Sequence, residues 1–131
     1  MRWAMVVFYV VAAYAHLSMP GFFMPVMPDW VPMPRQVILF TGACEAAGAV
    51  GLIIPRTRRF AGFMLALYAV CVFPANIKHA FYGPAIPGLP NGWLYHGPRL
   101  LLQPVLVWWA LYAGEVTNWP FARRRSASIA R

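Results

Sequence analysis

Four long apolar blocks constrain this chain more than any other feature: residues 3–19, 37–54, 60–75 and 100–119, separated by short stretches rich in proline or arginine. Each block runs for about 16–20 residues, near the length an α-helix needs to cross a hydrocarbon core. With 61% hydrophobic and only 11% charged residues, a chain of 131 residues has too little polar surface to coat a globule in water. The pattern predicts an all-α fold: an integral membrane four-helix bundle, up-down-up-down, with helices over about 3–19, 36–54, 58–75 and 99–119. Residues 1–122 read as one transmembrane domain and 123–131 as a basic cytoplasmic tail.

Charge sets the orientation. Eleven Lys and Arg face three Asp and Glu, a net charge of +8. Four spans place Arg2, Arg56, Arg58, Arg59, Arg123, Arg124, Arg125 and Arg131 on one side, and leave only Arg35, Lys78 and Arg99 on the other. That asymmetry over short loops is the positive-inside pattern, so both the N and C termini are expected in the cytoplasm. A basic excess can also mark nucleic-acid binding, but arginines clustered beside apolar spans fit anionic lipid headgroups better. The expected partner is therefore the lipid bilayer and not nucleic acid. An alternative makes the first block a signal peptide, with Arg2 as its basic start and Ala13-Tyr14-Ala15 as a cleavage site. It would leave three spans and separate arginines that four spans bring together.

Between the first two blocks, prolines at 20, 25, 28, 32 and 34 predict an irregular interfacial cap carrying Phe22, Phe23 and Trp30. In the second block Ala43, Ala47 and Gly51 recur every four residues, a small-residue stripe that lets a neighbouring helix approach. Pro55 and the following arginines leave room only for a tight turn, so the second and third helices are expected to be antiparallel neighbours. A further outer loop is expected over 74–98, with a short helix near 75–82, and Pro104 falls in the first turns of the fourth helix.

The informative chemistry is what stays polar in an apolar medium. Glu45 lies about nine residues beyond Gln36, roughly 13 Å along a helix. A carboxyl at that depth costs several kcal/mol unless neutral or paired, so it should face the bundle interior. Threading the helices brings His16, Glu45, Asn76, His79, Arg99 and Gln103 to the outer half, as a polar pocket walled by aromatics. Glu45 would handle protons or accept hydrogen bonds, His16 and His79 would relay to it, and Arg99 would anchor an anionic or carbonyl group. The plainer reading is that these groups satisfy one another and fix helix register. His96 reads as a loop residue. Cys44 and Cys71 make no close-spaced motif and read as small apolar fillers, although Cys44 adjoins Glu45. Met19, Met24, Met27 and Met33 near His16 could suit Cu(I), but packing explains them as well, and no metal site is expected. With no nucleotide or haem motif, an electron carrier would have to be a lipid quinone or belong to a partner protein.

The order of residues also carries a resemblance. His16 closes the first helix. Thr41-Gly42-Ala43-Cys44-Glu45, Ile54-Pro55-Arg56-Thr57-Arg58-Arg59, Phe73-Pro74-Ala75-Asn76 and Arg99-Leu100-Leu101-Leu102-Gln103 then follow in that order. This resembles the DoxX family of small bacterial membrane proteins along nearly the whole chain. The resemblance implies a multi-pass four-helix protein of the bacterial inner (plasma) membrane. It also implies an accessory role in quinone- or thiol-linked redox chemistry, as a membrane oxidoreductase subunit if an enzyme at all. A membrane or periplasmic redox partner would go with it, and the chain could also assemble as a homo-oligomer. Two other roles stand beside it, a small-solute or metal transporter and a non-catalytic membrane scaffold.

Overall fold

The computed structural model describes residues 1–83, 90 and 92–120. The basic tail, with Arg123, Arg124, Arg125 and Arg131, and part of the second outer loop lie outside these residues. Among those described the chain is all-helical, without a strand: α1 (Arg2–Ser18), α2 (Pro20–Phe23), a 3-10 turn (Met24–Val26), α3 (Pro34–Ile53), α4 (Arg58–Tyr82) and α5 (Trp93–Ala113).

Three stretches differ from the sequence expectation. The proline-bearing cap is partly helical, because Pro20 and Pro25 occupy the first positions of their short helices, where a missing N–H is harmless. The third helix runs unbroken through Pro74 to Tyr82, so the short helix expected near 75–82 is its continuation and not a separate piece of the outer loop. The fourth begins at Trp93, carrying Pro98 and Pro104 inside it, and ends at Ala113, well short of 119. Proline costs one backbone bond, but in an apolar setting the remaining bonds hold the helix together. At the other end, Gly114 N–H closes on Ala110 O (3.0 Å) and Glu115 takes a left-handed φ of 58°, which turns the chain out of the helix.

α1 packs on α3 and α4 on α5, while α3 and α4 join the two pairs. The buried core gathers Met5, Tyr9, Ala49, Leu52, Leu65 and Ala110. Small residues set the spacing: a Cβ on Gly51 would fall 2.7 Å from Ala61 Cβ, and one on Gly62 would fall 2.6 Å from Gly114 Cα. The tight turn is held by Thr57 Oγ1 donating to Gly51 O (3.0 Å) and Arg58 Nε donating to Leu52 O (3.2 Å). These bonds satisfy carbonyls that the end of α3 leaves open.

One end of the molecule converges on Glu115, whose Oε1 accepts from Arg2 (3.1 Å) and Arg58 (2.8 Å). There too Trp109 Nε1 donates to Met1 O (3.2 Å). At the opposite end Lys78 Nζ bonds Asp29 Oδ1 (2.7 Å) and Met27 O (2.6 Å). Because Glu115 is 57% exposed, Glu115→Gln is expected to cost less than about 1 kcal/mol, and less still in high salt. Unfolding in detergent with and without added salt measures both.

Two helices, α3 and α4, are long and apolar enough to cross a membrane; α1 makes a third span if counted with Pro20–Val26, which is bent from it by 97°. Large apolar side chains cover the outside: Leu94 is 97% exposed, Leu101 77%, Phe60 69% and Phe40 68%. Such a coat suits contact with hydrocarbon and not with water.

Candidate functional site

Glu45 is 3% exposed, well inside α3. Its position follows from the helix contacts around it. Gly42, one turn earlier, lacks the Cβ that would come within 2.9 Å of His16 Cβ, so α1 closes on α3 at this level. His16 Nδ1 then reaches Glu45 Oε2 at 2.8 Å, with Ala12 O also 3.0 Å away. A carbonyl can only accept, so Nδ1 carries the ring proton and donates. On the other side, Gly51 faces Ala61 and Gly48 faces Leu65, and continuing that register sets Tyr68 opposite Glu45. The Tyr68 hydroxyl donates to Glu45 Oε1 at 2.7 Å. Phe23 stacks on the His16 ring (centroids 4.1 Å, planes 22° apart) and fixes its plane.

A second polar group lies between α4 and α5. Gln103 Nε2 donates to Ala69 O (2.5 Å), and its Oε1 accepts from Asn76 Nδ2 (2.9 Å). Arg99 Nη2 donates to Asn76 Oδ1 (2.6 Å) and Nη1 to His79 Nδ1 (2.6 Å). A guanidinium has only donors, so His79 Nδ1 accepts and its ring proton is on Nε2. His96 meets His79 edge-on (4.9 Å), and the Arg99 guanidinium carbon lies 5.9 Å from the centre of the Tyr95 ring.

The six residues singled out from the sequence thus fall into two hydrogen-bonded groups. His16 and Glu45 form one, with Tyr68; Asn76, His79, Arg99 and Gln103 form the other. They adjoin along α4, where Tyr68 serves the first group and the next residue, Ala69, serves the second. His79 is bonded to Arg99 and not to Glu45. Two participants were missed. Tyr68 lies about as far after the Arg56 turn as Glu45 lies before it, a symmetry that antiparallel helices turn into contact. His96, read as a loop residue, is buried inside α5.

An apolar cleft of about 1830 Å³ runs beside both groups. His16, Glu45, Tyr68, Asn76, Arg99 and Gln103 all reach its wall, whereas His79 does not. Cys44, half-buried, and Cys71, exposed, also border it as free thiols. Among the described residues no three His, Cys, Asp or Glu side chains converge as a metal ion would require. What the arrangement offers chemically is a buried carboxyl holding two proton-bearing donors, beside a space open to an apolar molecule.

A family model described as a domain of unknown function, DUF8561, matches residues 5–114, which include every residue of both groups. No curated protein and no solved structure matches the chain.

Proposed function

The chain belongs to the DUF8561 family, and for it we propose a DoxX-like role: a multi-pass protein of the inner membrane that binds a quinone headgroup beside Glu45, as an accessory of quinone-linked redox chemistry. The carrying observation is the buried Glu45 carboxyl, bonded to both His16 and Tyr68 at the edge of an apolar cleft. A quinone is a flat, lipid-soluble molecule whose two carbonyls need hydrogen-bond donors. Reduction adds two electrons and two protons to it. His16 and Tyr68 are donors fixed by the carboxyl, and the three together form a short path along which protons could move. The chain has no redox motif of its own, so the electrons belong to a partner protein.

The membrane reading extends to four spans running up-down-up-down. It is supported by the way Glu115 gathers Arg2, the turn before α4 and the end of α5 at one end of the molecule. Arg56 in that turn and Arg59 in the first turn of α4 lie at the same end, so the basic end is the cytoplasmic one. α5 is not among the helices long and apolar enough to count as spans by themselves, and it carries Arg99, Gln103 and two prolines. Its exposed Leu94 and Leu101 nevertheless face outward as a lipid-facing helix requires.

The scaffold reading gains from the internal pairing of both polar groups, but it gives no reason for a cleft beside them. Thiol chemistry has less support, since Cys44 and Cys71 are free and sit on different helices. The test is titration of the purified full chain with a short-chain ubiquinone analogue, read by tryptophan fluorescence, since Trp109 borders the cleft. Saturable binding is expected, weakened about tenfold by Glu45→Gln and by Tyr68→Phe, the value of roughly one charge-assisted hydrogen bond. Absence of saturable binding, or binding by both variants as tight as the parent's, would sink the quinone assignment.

A further inference from the structure

Among the described residues no carboxylate pairs with Arg99. The sequence has three acids, and each has another partner: Glu115 binds Arg2 and Arg58, Asp29 binds Lys78, and Glu45 binds His16 and Tyr68. Arg99 is half-buried about 9 Å into α5, and its bonds to His79, Asn76 and the Tyr95 face leave its full positive charge in place. An unpaired guanidinium bordering an apolar cleft is costly unless an anion reaches it.

We propose that Arg99 is the headgroup site of an anionic phospholipid taken from the surrounding leaflet, whose acyl chains lie along the cleft. Three features fit that occupant. Among the described residues two of the five guanidinium N–H groups are engaged, which leaves three to meet the oxygens of one phosphate. Charge and apolar wall also come in the order a lipid needs. Arg99 is near the start of α5, and Pro98, Leu102, Val105 and Leu106 carry the wall from there toward the Glu115 end, as chains run inward from a headgroup. Size is the third. At about 1830 Å³ the cleft exceeds the roughly 300–1,000 Å³ usual for a compact ligand and has room for a two-chain lipid. The inference rests on the membrane reading above but uses neither Glu45 nor a quinone.

The experiment places the full chain in nanodiscs of mixed phosphatidylglycerol and phosphatidylcholine, removes loosely held lipid with detergent, and identifies what remains by native mass spectrometry. The wild-type chain is expected to retain one phosphatidylglycerol, preferred over phosphatidylcholine by about tenfold or more (~1.4 kcal/mol). Arg99→Gln should abolish the preference, Arg99→Lys should keep most of it, and Glu45→Gln should leave it unchanged even if quinone binding fails. Leu102→Trp narrows the cleft without touching the charge and should lower retention of both lipids, which keeps the test decisive if Arg99→Gln does not fold. An unaltered preference in Arg99→Gln, retention of phosphatidylcholine alone, or recovery of a free fatty acid in place of the phospholipid would each overturn the proposal.

Discussion

Gly62→Ala is expected to destabilise the folded chain by about 1–3 kcal/mol, although it adds one methyl group and replaces a poor helix former with the best one. The added Cβ would lie 2.6 Å from Gly114 Cα and 2.9 Å from Ala110 O, both backbone atoms that no side-chain rotation can clear. The only relief is to move α4 away from α5. That loosens the packing of Ala61, Ala66 and Ala110 and lengthens the Gln103–Ala69 bond further along the pair. Gly114→Ala meets the same obstacle from the other side, with its Cβ 2.5 Å from Gly62 Cα. Helices already forced apart accommodate a second methyl easily, so the double variant should cost clearly less than the sum of the two. Gly48→Ala is the comparison: its Cβ would meet only side-chain atoms, Cδ2 and Cγ of Leu65, which can shift where a backbone cannot, so its cost should be smaller. Unfolding in detergent followed by far-ultraviolet circular dichroism gives the ranking. A Gly62→Ala protein as stable as the parent would mean that α4 and α5 do not approach as closely as these glycines imply.

The all-helical class was legible because long apolar runs need no tertiary information to be read. Helix ends were less legible. Pro74 and Pro98 look like stops, yet both lie inside helices, since a segment surrounded by apolar groups gains nothing from breaking its backbone bonds. The opposite error came at the end of α5, where Val116 and Trp119 look like more of the same block. Glu115 was the overlooked sign, a charge that leaves the helix to meet Arg2 and Arg58. Glu45 and His16 stood out because polar groups in an apolar block are costly and need a reason. Tyr68 did not, since a tyrosine counts as apolar until something binds its hydroxyl. Nor could spacing alone divide the polar residues into two groups. Asn76 and His79 are one turn apart on α4 and both turn to Arg99, which only the packing of α4 on α5 decides.

Substitutions around Glu45 are expected to separate stability from function. His16→Leu removes one partner and leaves the buried carboxyl short of a donor, an expected loss of about 3 kcal/mol. Tyr68→Phe removes only a hydroxyl and should cost about 1–2 kcal/mol, the upper range for a hydrogen bond within membrane helices. Combining His16→Leu, Glu45→Leu and Tyr68→Phe takes away the carboxyl together with both of its donors. No polar atom of the group is then left without a partner, and three apolar side chains occupy a cleft wall that is already apolar. The triple variant should therefore recover most of the lost stability, to within about 1 kcal/mol of the parent, while binding no quinone analogue. The same unfolding assay and the fluorescence titration measure the two quantities on one sample. Recovery of stability without binding would mean that Glu45, His16 and Tyr68 return the fold little net stability, and that their chemistry is what keeps them there. A triple variant less stable than every single one would instead make the group a structural clasp between α1, α3 and α4, with no ligand needed to account for it.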